Sequence, residues 1–182
     1  LGIFVSQYLP SPITRDALIL PKQNWVIPST EHAPIKACFT PESLCTEGII
    51  QTIQEAKTSI YVQAYSFTSL PIAQALVEAK KRGVDVNVIL DKRQITARGS
   101  KLPLLIQNNV PVLIDTVHGI AHNKVMIIDG SHTITGSFNF TDAADSRNAE
   151  NVLIINDPEL SRIYKDNWDK RAKTAKYYTE AS

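Results

Sequence analysis

Apolar residues recur at regular intervals along most of the chain, and their spacing predicts where the helices and strands lie. Ile49, Ile50 and Ile53, for example, fall on one face of a predicted helix. Further helices are predicted from Ser69 to Gly83, near residues 102–107 and after Asp157. Alternating or continuous apolar runs predict strands at residues 59–66, 84–91, 111–115 and 152–155. Helices that alternate with strands in this way are typical of a layered α/β domain.

The predicted sheet is mixed, because Asp129-Gly130 between two apolar runs indicates a β-hairpin. We therefore expect residues 35–182 to form one domain, an α/β/α sandwich with a mixed β-sheet flanked by helices. Residues 1–34 show no periodicity and contain five prolines. This composition predicts an N-terminal extended arm or a processed segment, the first residues of which could be the remnant of a removed signal or anchor.

The predicted hairpin carries polar side chains at a regular spacing. His122 and Lys124 precede the turn, and Ser137 and Asn139 follow it, so that each pair shares one face of its strand. A two-residue loop would put all four side chains on the same face, whereas a loop of odd length or a bulge would not. Asp129 would then be a supporting residue in the turn or on the other face. The four side chains suit a phosphodiester: a nucleophile or acid–base group, a cation and neutral hydrogen-bond donors.

These residues resemble the HKD motif of the phospholipase D superfamily. The resemblance rests on His122, Lys124 and Asp129, followed by Gly136, Ser137 and Asn139. Glu150 stands where that family often has an acidic partner. The resemblance extends from about Phe39 to about Arg171, includes residues 65–68 and 79–86, and is closest to small bacterial endonuclease-like members with one motif per chain.

The resemblance implies a phosphodiesterase that needs no metal or cofactor and works through a phosphohistidine. In this interpretation His122 attacks phosphorus, while Lys124, Ser137 and Asn139 hold the phosphoryl oxygens. Glu150 would orient His122 and raise its basicity. One histidine cannot easily attack phosphorus and also protonate the leaving oxygen. A chain with one motif is therefore predicted to form a homodimer whose twofold axis brings two copies of the motif together.

Composition adds few constraints on the partner. The 182 residues carry a net charge of +1, and 43% are hydrophobic, as in an ordinary globular chain. An electrostatic contact with nucleic acid must therefore be local. Lys92, Arg93 and Arg98 follow a predicted strand and are the candidate substrate-binding residues. They could equally be ordinary solvated side chains. No carboxylate cluster suited to two Mg²⁺ ions stands out, so that a two-metal nuclease is not predicted.

The two cysteines leave two alternatives open. Cys38 and Cys45 bracket a six-residue loop that contains Pro41, so that a disulfide would close a compact loop. In a cytosolic protein two free thiols would be the expectation. We favour the disulfide and hence a periplasmic or secreted protein, because the related small nucleases are often exported.

The substrate is the least determined part of the prediction. We expect a non-specific endonuclease acting on DNA or RNA. The first alternative is a phospholipase D-type hydrolase of phospholipid head groups, with membrane lipid as the partner. That activity would call for an apolar slot or an interfacial helix, and no basic amphipathic helix with exposed large apolar residues is apparent. The second alternative is a catalytically silent module that only binds phosphate.

Overall fold

A computed structural model of the protein describes residues 35–41 and 43–179. The predicted N-terminal arm, residues 1–34, lies outside the described residues. The predicted fold class is confirmed, because the described residues form a mixed sheet with helices on both faces. The strands are β1 (Ile35–Thr40), β2 (Ser59–Ala64), β3 (Asp85–Asp91), β4 (Val112–Asp115), β5 (Lys124–Ile128), β6 (His132–Gly136), β7 (Glu150–Asn156) and β8 (Lys176–Tyr177). The helices are α1 (Cys45–Glu55), α2 (Leu70–Lys81), α3 (Leu102–Gln107), α4 (Asp142–Ser146) and α5 (Pro158–Ala172).

The sheet has the strand order β1-β7-β6-β5-β2-β3-β4-β8. Strands β2, β3 and β4 are parallel, and the remaining neighbours pair antiparallel. This topology brings the carboxyl ends of β1, β2, β3, β4 and β6 to the same edge of the sheet as the amino ends of β5 and β7. We call this edge the active edge, because His122 lies directly before β5.

Local signals explain where the helices begin. The Ser69 hydroxyl accepts a hydrogen bond from the backbone N–H of Ile72 at the start of α2. The Asp157 carboxylate accepts from the N–H groups of Glu159 and Leu160 at the start of α5. In both helices a proline occupies the first turn, where its missing N–H costs nothing.

Each face of the sheet has its own apolar core. The larger core lies between the sheet and helices α1 to α4, and it includes Ile53, Leu76 and Met126. The smaller core lies under α5, where Trp168 packs near Val125 and Ile127. Ile163 of α5 lies outside this core and is 52% exposed.

The loop of the motif hairpin differs from the prediction. Ile128 pairs with His132, so that the loop has three residues, 129–131, and the expectation of a two-residue loop is wrong. Asp129 and Gly130 both have left-handed backbone conformations, with φ values of 53° and 64°. Glycine adopts this conformation freely, and aspartate adopts it more readily than most residues because its side chain is short and polar. Two successive left-handed residues explain why the loop closes one residue later than expected.

The three-residue loop also removes the argument that four polar side chains share one face. Continuing the observed register puts Gly136 opposite Lys124, and regular strands would then put Ser137 and Asn139 on the other face. Strand β6 instead ends at Gly136, where φ is +149°. A Cβ at this position would collide with the carbonyl oxygen of Asn151, so that only glycine fits. The polar residues after Gly136 are placed by this break in the strand.

The segment around the cysteines is both bonded and more regular than expected. Cys38 and Cys45 form a disulfide with a Cα–Cα distance of 5.7 Å, which confirms that expectation. Cys38 lies in β1, an edge strand that the sequence did not predict, and Cys45 begins α1. In the described part of the chain, no helix is long and apolar enough to cross a bilayer.

Candidate active site

His122 lies at the active edge with its side chain exposed. Its ring meets the ring of Tyr65 edge to face, with 4.6 Å between centroids and 64° between planes. Tyr65 directly follows β2, and its backbone N–H donates to the carbonyl of Asn123 at 2.9 Å. Tyr65 therefore limits where the imidazole can point. It lay in a segment that resembled the family, but sequence reasoning did not assign it to the site, because its contact with His122 joins two strands that are distant in sequence.

Lys124 is the buried cation of the site, with 9% of its surface exposed. Its ammonium donates to the carbonyl of His122 at 3.2 Å and lies 5.4 Å from the centroid of the Tyr65 ring. Burial lowers the pKa of Lys124 below its ordinary value, while the charge of Glu150 offsets part of that effect. A partly desolvated cation interacts more strongly with phosphoryl oxygens than one in water.

Ser137 and Glu150 form a connected pair beside this cation. The Ser137 hydroxyl donates to Glu150 Oε2 at 2.5 Å, and the side chain of Asn148 donates to Oε1 at 2.9 Å. The backbone N–H of Asn151 donates to the Ser137 hydroxyl at 3.0 Å. Both oxygens of Glu150 are therefore engaged with neighbours on the β7 side of the site.

The resemblance implied that Glu150 orients His122. Within the described residues, however, Glu150 makes no hydrogen bond to the His122 of its own chain. Strand β6 lies between β7, which begins with Glu150, and β5, which His122 precedes, so that β5 and β7 are about 10 Å apart. Asn139 also makes no hydrogen bond to His122 within the described residues. Its side-chain oxygen Oδ1 is buried without a partner there.

Two buried carboxylates shape the loop that leads into the motif. Asp91 accepts from the backbone N–H of Ala121 at 2.7 Å, and Asp115 accepts from the N–H groups of Val117 and His118. Burial alone would raise the pKa of Asp115, but hydrogen bonds from the His118 ring and from these N–H groups outweigh it and hold the pKa below its ordinary value. Buried carboxylates therefore hold the loop at residues 116–123 near both of its ends.

His118, the other histidine near the motif, is engaged at both ring nitrogens. Nδ1 lies 2.8 Å from an oxygen of Asp115, and Nε2 contacts the guanidinium of Arg171. Arginine can only donate a hydrogen bond, so that Nε2 must be the acceptor. A histidine held in this way is not free to protonate a leaving group.

The three predicted substrate-binding residues all follow β3 and are all exposed. Lys92 and Arg93 lie on a 3₁₀ helix at the active edge, and Arg98 lies in the loop beyond it. Lys92 donates to the carbonyl of His118 at 3.2 Å, whereas Arg93 donates to the Tyr65 hydroxyl at 2.9 Å. Arg93 thus connects to His122 through one aromatic ring.

Asp129 lies at the opposite edge of the sheet from His122 and supports the fold. Its carboxylate accepts hydrogen bonds from the backbone N–H groups of Lys57, Thr58 and Ser59, at 2.8 to 3.0 Å. Partial burial would raise the pKa of Asp129, but these bonds outweigh it and hold the pKa below its ordinary value of 3.8. The residue joins the motif hairpin to the start of β2.

We expect Asp129→Asn to lower the free energy of unfolding by about 1–2 kcal/mol, because charge-assisted hydrogen bonds to three N–H groups are weakened. The carboxylate stabilises the fold fully above pH 3.8, its ordinary pKa, and that stabilisation is lost as the pH falls through the lower folded pKa. Urea titrations of both proteins across this range measure the difference. A loss of turnover without a loss of stability would contradict a supporting role.

An open cavity of about 420 Å³ lies beside the site, at the end of the sheet formed by β1 and β7. Ser137 and Glu150 line it on one side and Phe39 on the other. The cavity offers room next to the groups that face Lys124. Within residues 35–41 and 43–179, no group of three or more His, Cys, Asp or Glu side chains is placed to hold a metal ion.

Comparison with known proteins gives consistent similarities. A family model described as "Cardiolipin synthase, PLD-like domain" matches residues 49–172. A protein named phospholipase D from Rickettsia typhi is 46% identical over 176 residues, which cover 94% of this chain and 86% of that protein. A mitochondrial cardiolipin hydrolase from Danio rerio is 32% identical over 139 residues, covering 74% of this chain and 60% of that protein.

A solved structure resembles the fold over most of the described residues. Nuc from Salmonella typhimurium, a phospholipase D family member, aligns with a TM-score of 0.78 and 38% identity. The alignment covers 82% of this chain and 100% of that chain. The whole of that chain therefore aligns with part of this one.

Proposed function

The chain belongs to the phospholipase D superfamily and is a hydrolase of the phosphodiesterase type, and on that premise we propose that it is a metal-independent endonuclease that cleaves DNA or RNA without sequence preference. His122 attacks phosphorus to form a phosphohistidine as the ester oxygen leaves, and water then hydrolyses the P–N bond. The observation that carries the proposal is an exposed imidazole two residues from a buried ammonium.

Lys124 stabilises the charge that develops on the phosphoryl oxygens. Its side chain is held in place by His122 and Tyr65 before substrate arrives, so that little reorganisation is needed. Ser137 and Asn139 supply neutral polar groups on the other side of the site. No step in this scheme requires a metal ion.

The leaving oxygen also needs a proton, and this requirement supports a dimer. In the described part of one chain His118 is bound at both ring nitrogens, and His132 lies at the opposite sheet edge against Ser131. A twofold dimer would supply a second His122 through an isologous interface. In such a dimer Glu150 could also orient the His122 imidazole of the other copy, whereas it makes no hydrogen bond to the His122 of its own chain.

One face of the sheet is suited to that interface. Helix α5 packs on β2, β4, β5 and β6, and the same face of β1 and β7 lies beyond those strands. There Phe39 is 55% exposed, and Ala37, Leu153 and Ile155 are partly exposed. The cross-strand pairs Ala37–Leu153 and Ile35–Ile155 make this an apolar surface next to the cavity at Glu150. A second copy would cover the surface and bring its own motif toward the site.

The substrate assignment rests on local charge. Lys92, Arg93 and Arg98 project at the active edge, where they can hold a phosphate backbone. A second candidate reaction is hydrolysis of phospholipid head-group esters, which the similarity to proteins named phospholipase D and cardiolipin hydrolase favours. The Cys38–Cys45 disulfide supports our proposal of an oxidising location, in the periplasm or outside the cell.

We expect plasmid DNA to be cleaved at an unchanged rate in excess EDTA, because the proposed chemistry uses only side chains of the protein. Phosphatidylcholine vesicles under the same conditions should release no head group. A His122→Ala sample prepared in parallel excludes a contaminating nuclease. A rate restored only by added Mg²⁺ or Zn²⁺ would contradict the mechanism. Head-group release without DNA cleavage would favour the lipid reaction. Binding of DNA or lipid without turnover of either would favour a catalytically silent module.

A further inference from the structure

Two loops at the active edge share an unusual composition. They span residues 92–101, after β3, and residues 116–123, after β4, and we call them the edge loops. Together they carry Lys92, Arg93, Arg98 and Lys101, and they contain no aspartate or glutamate. All four cations lie on residues 92–101, whereas residues 116–123 carry no lysine or arginine, so that positive charge is concentrated on the first edge loop in a chain whose net charge is only +1. A surface of this kind attracts a polyanion or an anionic surface.

The same loops expose large aliphatic side chains. Ile95 is 46% exposed, Val117 62% and Ile120 43%. Ile120 lies two residues before His122, so that the apolar residues project beside the nucleophile. Aliphatic side chains at the surface are usual when single, but here three accompany four cations on two neighbouring loops.

The aliphatic side chains are held outward by the backbone beneath them. Asp91 accepts hydrogen bonds from the N–H groups of Arg93 and Ala121, so that one buried carboxylate ties the two edge loops together. Asp115 accepts from the N–H of Val117 at 3.1 Å. These bonds fix the loop backbones, so that Val117 and Ile120 stay exposed. Their exposure is therefore a property of the folded site.

We propose that the edge loops dock the protein onto an anionic bilayer surface. Ile95, Val117 and Ile120 enter the boundary between head groups and acyl chains, and the four cations bind the anionic head groups. Docking in this orientation brings His122 to the level of the lipid phosphates. On a docked chain the edge-loop cations hold lipid head groups in place of the nucleic-acid phosphates of the proposed reaction, so that docking and nucleic-acid binding exclude each other.

Nucleic acid accounts for only half of this surface. A phosphate backbone explains the four cations, but a hydrated duplex gives aliphatic side chains no base face or apolar layer to contact. A bilayer explains both the charges and the apolar residues. Contact with a second copy of the chain would explain the apolar residues but would bring like-charged loops toward each other.

Co-sedimentation with vesicles tests the proposal in the 182-residue His122→Ala chain, in which turnover does not alter the lipid. We expect binding to vesicles containing about one-third phosphatidylglycerol to exceed binding to pure phosphatidylcholine by about tenfold or more. The double substitution Val117→Asp with Ile120→Asp should weaken that binding by at least about tenfold. Ile163→Asp, at an equally exposed aliphatic residue on α5, is the matched control and should have no effect.

A second measurement uses variants that keep the surface apolar. Val117→Trp should be quenched by lipids brominated on their acyl chains, whereas Ile163→Trp should not. Absence of binding to anionic vesicles, or equal loss in the double variant and the control, would overturn the proposal. An equal loss of duplex DNA binding would assign the edge loops to a nucleic-acid groove, and a shift from dimer to monomer would assign them to the subunit interface.

Discussion

Replacement of His122 with alanine should reduce turnover by roughly 10⁴-fold or more, because in the proposed reaction His122 forms the bond to phosphorus. The loss should appear in kcat for both plasmid DNA and a small diester such as bis(p-nitrophenyl) phosphate. The small diester is informative because it needs no groove. Equal losses on both substrates would place the defect in the chemical step rather than in substrate binding.

The fold should not change in this variant, because the His122 side chain is exposed and lies at the edge of the sheet. His132→Ala is a suitable comparison: this histidine is partly exposed, lies in β6 at the opposite edge and is hydrogen-bonded to Ser131 through its ring. It should keep nearly full activity. A correctly folded His122→Ala protein that turns over at close to the wild-type rate would refute the assignment of the nucleophile.

The second large effect is expected at Lys124. Replacing it with methionine keeps the length and volume of the side chain but removes the positive charge, and should lower kcat by roughly 10³-fold. Stability should be kept or should rise, because burial disfavours the charged amine, as the lowered pKa of Lys124 indicates. Steady-state kinetics together with thermal unfolding separates the two effects.

The matched control for Lys124 is Lys101→Met, a partly exposed lysine in an edge loop. This variant should bind the polymeric substrate more weakly than the wild type at low salt. At high salt the difference should disappear, because salt screens the charge of Lys101. We expect that no salt concentration restores the turnover of Lys124→Met. Recovery of Lys124→Met at low salt, or an effect on KM alone, would show that Lys124 only gathers substrate.

Local sequence patterns were sufficient to predict helices whose first and last residues carry their own start and stop signals. Helix α2 begins at Ser69 and is closed by Gly83, and both signals lie within a few residues of the helix they bound. The motif strand β5 was also predicted from a local pattern, because it is a continuous apolar run that ends at Asp129-Gly130. The hairpin loop was not, because two-residue and three-residue loops differ only in how Asp129 and Gly130 use left-handed conformations.

The sequence indicates candidate residues for the site but not how they are arranged. His122 and Lys124 are close because they are two residues apart in the chain, at the start of β5, which a sequence shows. The contacts of Tyr65 with His122 and of Ser137 with Glu150 depend on how strands pair across the sheet. The same limit applies to Glu150, whose separation from His122 follows from the strand order and not from its position in the chain.

The central claim is that one catalytic centre uses His122 from two chains, and mixed refolding tests it most directly. Wild-type and His122→Ala chains are unfolded together in varied ratios, refolded, and assayed while light scattering records the mass. A shared site predicts activity that follows the square of the wild-type fraction, so that an equal mixture retains about one quarter of the wild-type activity per chain. Activity that is linear in the wild-type fraction, with about one half retained, or a fully active monomer, would contradict the account.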